Sequence, residues 1–244
     1  MWTKRLLLAF VLLSLPVVTA TGQESRSEAR ERIRRGNEMY ARAEYEAAIR
    51  EYGRVAREEG EAYAQSLYNI GVCQYELWRT GEAIEMYRSA VAASGGRYPK
   101  ASYALGVALE DSRQWAEARE AYRQTLAASG GNYREAELAV AHYRLGLLAM
   151  REGDYESASA LFREAIARSR RRFPASHNNL GVSLALAGRL ELAEREFEAA
   201  LRLSRGAFSE ASHNLRLCRA ARASGTITEF ASLKMVEAIA ATIE

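Results

Sequence analysis

Residues 143–146 read Tyr143-Arg144-Leu145-Gly146, and residues 178–181 read Asn178-Asn179-Leu180-Gly181. The same arrangement, a polar or aromatic residue followed by Leu or Ile and then Gly, recurs along most of the chain. The last copy is degenerate and ends in an arginine. The marker positions of the series are Gly36, Gly71, Gly106, Gly146, Gly181 and Arg216. Their spacing is 35 residues at every step except one of 40. This regularity predicts a chain built from one repeated unit.

A second set of positions keeps step with the marker glycines. Twelve residues after each glycine stands an alanine, and four residues further on stands an aromatic residue. The alanines are Ala48, Ala83, Ala118, Ala158 and Ala193; the aromatic residues are Tyr52, Tyr87, Tyr122, Phe162 and Phe197. Apolar residues fall at spacings of three and four, which is typical of amphipathic helices. We therefore expect antiparallel helix pairs in which the glycine permits close approach. The alanine should pack against the glycine, and the aromatic ring should fill the gap toward the next repeat.

This pattern resembles the tetratricopeptide repeat family, whose members repeat a helix–turn–helix unit about every 34 residues. The resemblance covers residues 29–222 and gives five repeats followed by an unpaired helix. It implies an all-α solenoid, a right-handed superhelix of antiparallel helix hairpins. The chain departs from the family pattern between repeats 3 and 4, where five extra residues lie around Gly130-Gly131-Asn132-Tyr133.

The first twenty residues differ from the rest. Lys4 and Arg5 precede an apolar run from Leu6 to Val18, and the small residues Val18-Thr19-Ala20 follow. A positive start, a short apolar run and a small-residue site are the three parts of a secretory signal peptide. We therefore predict a cleaved signal over residues 1–20 and a periplasmic or secreted protein. The alternative is an uncleaved membrane anchor; with cleavage, no stable membrane insertion is expected.

The C-terminal residues 226–244 follow a break at Gly225. Their apolar residues are spaced as on one face of a helix: Phe230, Leu233, Val236, Ile239 and Ile243. The last unit of a solenoid exposes the face that a next repeat would cover. We therefore predict a capping helix over residues 226–244, with docking of that helix on a partner as the alternative.

Composition narrows the possible functions. The 244 residues are 48% hydrophobic and 27% charged, which excludes a disordered chain and a protein with many membrane spans. The formal net charge of +3 is too small to indicate a polyanion partner. The sharpest basic run, residues 168–172, is typical of a solvated helix end, where cations favour the helix dipole. We expect no nucleic-acid partner.

The sequence offers little to support catalysis. Its three histidines, His142, His177 and His213, occur once per repeat. Equivalent positions on packed helices lie about 8–10 Å apart, too far to share one metal ion. No motif of a nucleophile, a metalloprotease or a nucleotide-binding loop is present. We predict no enzyme activity, no metal and no cofactor. The two cysteines, Cys73 and Cys218, lie four repeats apart, which predicts two free buried thiols rather than a disulfide.

The resemblance also implies a binding surface. In tetratricopeptide repeat proteins the first helices of the pairs line a concave groove that takes a peptide or a segment of another protein. The matching positions of this sequence are Asn37, Gln65, Tyr68, Asn69, Tyr75, Lys100, Tyr103, Tyr143, Arg144, Asn178 and Asn179. Tyrosine gives a large contact area at low entropic cost, and Asn or Arg can hydrogen-bond a peptide backbone. The alternative is that the tyrosines are structural spacers between helices.

Some members of the family bind a C-terminal carboxylate with five side chains spread over three repeats. Asn37, Asn69 and Lys100 match three of these positions, whereas Ile33 and Ala104 replace the other two. We do not predict such a carboxylate-binding site.

These observations together predict a non-catalytic exported scaffold that binds a protein or peptide in its groove. The alternative is a structural or self-associating subunit of a cell-envelope assembly, in which case a homo-oligomer is expected. A fold of this kind serves many partners, so the sequence does not identify the partner.

Overall fold

The computed structural model describes residues 18–128, 135–170, 172–224 and 232–237. Eleven α-helices account for almost all of these residues. They are α1 (Val18–Ala41), α2 (Tyr45–Tyr52), α3 (Glu61–Glu76), α4 (Thr80–Ala93), α5 (Pro99–Asp111), α6 (Trp115–Ala127), α7 (Glu135–Arg151), α8 (Tyr155–Arg168), α9 (Pro174–Leu186), α10 (Leu190–Leu203) and α11 (Ser209–Ser224).

The helices form five pairs, α1/α2 to α9/α10, followed by α11 without a partner helix in the described residues. Each helix packs mainly on its neighbours in the chain, and first helices also contact the first helices of adjacent pairs, as α1 does α3 and α9 does α11. This layered, one-dimensional packing is that of an α-solenoid. The predicted all-α fold of helix hairpins is therefore confirmed.

At each marker glycine, an aromatic ring of the second helix of the pair lies where the Cβ atom of a larger residue would be. A Cβ atom built on Gly106 would lie 2.5 Å from the ring of Tyr122, and one on Gly181 would lie 2.6 Å from the ring of Phe197. The other three pairs have the same contact, with Cβ distances of 2.3, 2.6 and 2.6 Å. The aromatic ring therefore lies over the glycine of its own pair. The expectation placed this ring in the gap toward the next repeat, so it was wrong about where the ring makes its closest contact.

The turns inside the pairs share one geometry. Each contains a residue in the left-handed region, at φ between 57° and 77°: Ala43, Trp78, Arg113, Gly153 and Gly188. The N–H group of the next residue donates a hydrogen bond to the carbonyl five residues back, at 2.8–3.0 Å. This bond is that of a Schellman cap, which satisfies a carbonyl at the helix end. Three turns adopt it without glycine, and one of them leaves Trp78 92% exposed.

The core runs the length of the solenoid between the two helix layers. The five alanines of the second helices are completely buried, as are the rings of Tyr122, Phe162 and Phe197. Cys73 and Cys218 are both free and buried, as predicted. Burial raises the pKa of each thiol to about 11. Both cysteines therefore remain protonated near neutral pH, where thiols are poor nucleophiles.

The predictions for the two ends have different outcomes. The apolar run of the predicted signal lies mainly in residues 1–17, outside the described residues, and α1 begins at Val18. The inserted Gly130-Gly131 pair also lies outside them. Of the predicted capping helix, residues 232–237 are described, and residues 233–237 have no regular secondary structure. The prediction of a helix was wrong for this segment. Among the described helices, none combines the length and apolar character needed to cross a membrane.

The contact between glycine and aromatic ring yields a stability prediction. Changing Gly106→Ala forces the Tyr122 ring to move, because a Cβ atom would overlap it. We expect the free energy of unfolding to fall by about 1–3 kcal/mol, the usual cost of overpacking. Urea denaturation followed by circular dichroism measures this change.

Gly81→Ala is the matched control, because Gly81 is also helical and a Cβ atom there would meet nothing within 4 Å. This change should leave stability unchanged or raise it by about 0.4–1 kcal/mol. Equal effects of the two substitutions would show that the close approach at Gly106 does not control stability.

Candidate functional site

One face of the solenoid is formed mainly by first helices, and we call this face the groove. Its described surface is carried by α3, α5, α7, α9 and α11, and it has two different halves. The half near the N-terminus contains an open cavity. The half near the C-terminus is covered by residues 232–237, which we call the tail.

Asparagine side chains hold the backbone of the tail. Asn214 accepts a hydrogen bond from the N–H of Lys234 at 2.8 Å and donates one to the carbonyl of the same residue at 2.8 Å. Asn179 does the same for Val236, at 3.0 and 2.9 Å. Each amide side chain thus pairs with one peptide residue as a neighbouring β-strand would, satisfying both its donor and its acceptor.

A second row of side chains forms hydrogen bonds to three carbonyls of the tail. Asn178 donates to the carbonyl of Lys234 at 3.0 Å, and Tyr143 donates to that of Val236. His213 hydrogen-bonds the carbonyl of Ser232 at 3.0 Å through Nε2. These contacts advance by two tail residues for each repeat of the solenoid. We call the five side chains the clamp: Tyr143, Asn178, Asn179, His213 and Asn214.

The clamp side chains also hold one another in place. Asn214 donates to Asn178 at 2.9 Å, Asn178 to Asn179 at 3.1 Å, and Asn179 to the hydroxyl of Tyr143 at 3.0 Å. These three asparagines and Tyr143 are completely buried. Buried polar groups are costly unless they are hydrogen-bonded. The tail backbone supplies some of the hydrogen bonds that these buried side chains require.

The clamp contains three of the predicted groove residues and two others. Tyr143, Asn178 and Asn179 were predicted groove residues, and the structure places them together under the tail. His213 and Asn214 were missed as site residues, although they occupy the same two register positions as Asn178 and Asn179, 35 residues later. The register alone was the signal that could have identified them.

The other half of the groove holds a cavity of about 420 Å³, which we call the tyrosine pocket. It contains the predicted groove residues Tyr68, Tyr75, Lys100 and Tyr103. Its full lining is Tyr68, Val72, Tyr75, Tyr87, Lys100, Tyr103, Ala104, Val107, Glu137 and Val140. An apolar pocket with a few polar groups at its edge is the usual form of a ligand-binding site.

The pocket tyrosines have structural contacts as well. The ring of Tyr68 lies 5.9 Å from that of Tyr87, and the ring of Tyr103 lies 5.6 Å from that of Tyr122, measured between centroids. Burial raises the pKa of both Tyr68 and Tyr103, so their hydroxyls stay neutral. Both rings are only partly buried. They therefore serve as spacers between helices and also present a surface to the pocket.

Arg144 separates the two halves of the groove. It occupies the register position of Asn179 one repeat earlier, and it pairs with Glu110 at 3.0 Å. The two side chains are 22% and 12% exposed. Burial raises the pKa of Glu110, while the Arg144 guanidinium acts in the opposite direction. Arg144 therefore offsets part of the cost of burying the Glu110 carboxylate.

The remaining predicted groove residues lie toward the N-terminus. Asn37 accepts hydrogen bonds from the hydroxyl of Tyr52 at 2.7 Å and from Asn69 at 3.4 Å. Gln65 is exposed on α3. Asn37 and Asn69 are thus linked to each other on adjacent first helices. They lie at the end of the groove opposite the clamp and take no part in its contacts.

Metal-ligating side chains do not cluster in the described part of the chain: it holds no group of three or more His, Cys, Asp and Glu residues that could bind an ion. His177 instead pairs with Glu196 at 2.7 Å.

The helix pairs and their shared inner face define an α-solenoid of helix hairpins. The model of the tetratricopeptide repeat family matches three regions, residues 29–98, 79–133 and 143–208, which together span more than half of the chain. The protein therefore belongs to the tetratricopeptide repeat family. No curated protein matches the sequence.

Solved structures with the same fold share little sequence with this chain. A MamA protein from Desulfovibrio magneticus RS-1 has a TM-score of 0.60 at 21% identity, covering 75% of this chain and 98% of that one. PilF of Pseudomonas aeruginosa has a TM-score of 0.62 at 21% identity, covering 85% and 90%. YrrB, described as a protein of this repeat class with an unusual peptide-binding site, has a TM-score of 0.60 at 20% identity, covering 78% and 94%.

The Arg144–Glu110 pair predicts a pH-dependent effect of mutation. Arg144→Met leaves the Glu110 carboxylate half-buried without its partner, and at about pH 7 we expect a loss of about 1–3 kcal/mol of stability. Burial already raises the folded-state pKa of Glu110, so lowering the pH protonates this group in the folded protein and relieves the penalty. The loss should shrink at about pH 4, near the ordinary pKa of glutamate. Urea denaturation at the two pH values measures both losses.

Arg88→Met is the control, because Arg88 pairs with Glu117 on the surface, where the side chains are 41% and 56% exposed. Exposed pairs contribute about 0–1 kcal/mol, so this change should be small at both pH values. A penalty for Arg144→Met that is independent of pH would contradict the role assigned to Glu110.

Proposed function

We propose that this protein is a non-catalytic, exported scaffold that binds an extended segment of a protein or peptide along its groove. The observation that carries the proposal is the tail itself, since the groove already holds this segment through hydrogen bonds to the backbone of Ser232, Lys234 and Val236. Recognition of backbone tolerates many side chains, which suits a scaffold.

The tyrosine pocket is the part of the groove offered to the partner. It adjoins the clamp half across Arg144 and carries half-buried tyrosines with Lys100 and Glu137 among its lining residues. Aromatic residues in a recessed site commonly supply most of the binding energy of an interface. We propose that an apolar or aromatic side chain of the partner enters this pocket while its backbone follows the first helices.

Photo-crosslinking tests the location of the partner. A photoreactive phenylalanine at Val107, in the pocket, should give adducts with a partner in the cells that produce the protein. The same residue at Arg123, an exposed position on a second helix, should not. The double change Tyr68→Ala and Tyr103→Ala should remove the Val107 adducts, because it deletes two aromatic walls of the pocket.

The control variant carries Tyr45→Ala and Tyr155→Ala, which removes two partly buried tyrosines from the starts of second helices. Circular dichroism should show unchanged helicity in both double variants. Adducts formed only from Arg123 would place the partner on the outer face and contradict groove binding. Loss of helicity in the pocket variant would show that its tyrosines serve the core.

Export is supported by the charged start, the apolar run and the small residues of positions 1–20. The mature protein should begin at Thr21 and be found in the periplasm or outside the cell. Mass spectrometry of the purified chain measures its N-terminus. Leu8→Arg together with Leu12→Arg interrupts the apolar run and should leave an unprocessed, retained chain. Recovery of the intact wild-type N-terminus from the cytoplasm would contradict export.

A further inference from the structure

The clamp has no free capacity for a second backbone while the tail is bound. Asn179 uses its amide donor and acceptor on Val236, and Asn214 uses the same atoms on Lys234. The second row donates to the same two carbonyls. Any partner that lay along α7, α9 and α11 would need these hydrogen-bonding groups.

The tail also covers apolar surface beside the clamp. Leu233 and Met235 are partly buried and pack against the core cluster of the C-terminal half. Lys234, between them in sequence, is exposed. Alternate residues of an extended chain point to opposite sides, so residues 232–235 have one face packed on the protein and one face in solvent. Val236, which follows them, is also partly buried. The site therefore suits an extended segment with apolar residues at alternate positions.

Proline is incompatible with the hydrogen bonds of the tail at two positions. The N–H groups of Lys234 and Val236 both donate to clamp asparagines. Proline has no backbone N–H group, so it cannot supply either bond. Side-chain chemistry at Lys234 matters less, because that side chain is exposed.

From these contacts we infer that residues 232–237 are a built-in competitive ligand of the groove: they occupy the clamp in the same chain, and a partner segment with alternate apolar residues gains the clamp only by displacing them. This inference rests on the proposed function of the groove. The tyrosine pocket remains open while the tail is bound, so a partner can engage the pocket first and then replace the tail.

The test uses the full chain with Lys234→Pro and Val236→Pro, which removes two tail hydrogen bonds and leaves the solenoid residues unchanged. The probe is a fluorescein-labelled peptide with the sequence of residues 230–239. Fluorescence anisotropy should show at least ten-fold tighter binding to the proline variant than to the wild-type chain, since the clamp of the variant is no longer occupied.

Two controls connect the effect to the clamp. Lys234→Ala with Val236→Ala keeps both N–H groups, so this chain should bind the probe far less tightly than the proline variant does. Asn179→Asp in the proline variant removes the amide donor with little change in shape, and probe affinity should fall at least ten-fold. Equal probe affinity for wild-type and proline chains, or no binding to either, would overturn the inference.

Two further readouts do not depend on the probe. Hydrogen exchange at the amides of Lys234 and Val236 should be slow in the wild-type chain, and exchange at the rate of a free peptide would overturn the inference. Light scattering should give a monomer for both chains. A dimer that the proline substitutions dissociate would place the tail in a second copy and overturn occupancy within one chain.

The inference and the proposed function can fail separately. Normal crosslinking from Val107 with no gain of probe affinity would remove the role of the tail and leave pocket binding intact. The expected gain of probe affinity without partner adducts at Val107 would support the tail as a ligand and contradict the proposed use of the pocket.

Discussion

The contact between a glycine and an aromatic ring, made once in each helix pair, is the constraint on which the rest of the structure depends. Because the ring lies where a Cβ atom would be, the two helices approach closely at one fixed point. That point sets the rotation of each first helix, and so fixes which side chains face the groove. Tyr143 and Asn179 reach the tail because the residues three and two positions before each marker face the same way in successive pairs.

The two positions that lie three and two residues before each marker therefore carry different side chains along the groove. We treat them as one pair of positions. In the C-terminal half it carries His or Asn with Asn, which pair with peptide backbone. Toward the N-terminus it carries tyrosines that line the pocket. Arg144 stands between the two halves and is committed to Glu110. We conclude that the same architecture offers hydrogen bonds to a main chain at one end and an apolar recess at the other.

Much of the fold could be predicted from the sequence because repetition multiplies a weak signal. A glycine, an alanine and an aromatic residue in step, five times over, define a helix pair even though each copy alone is ambiguous. The site was harder to predict. Asn214 was missed because its copy of the motif ends in Arg216 rather than glycine. The tail was misread because the spacing of Leu233 and Val236 suits a helix face, whereas the structure holds this segment by backbone groups, which leave no trace in side-chain identity.

The tail advances two residues for every repeat that it passes, running from α11 toward α7, against the order of the repeats. An extended chain rises about 3.3 Å per residue, so two residues cover about 7 Å of groove. Each 35-residue repeat of the solenoid thus corresponds to two residues of bound extended chain. Gain or loss of one repeat during evolution would lengthen or shorten the segment that can bind by two residues. The register of the segment with the remaining repeats would stay the same.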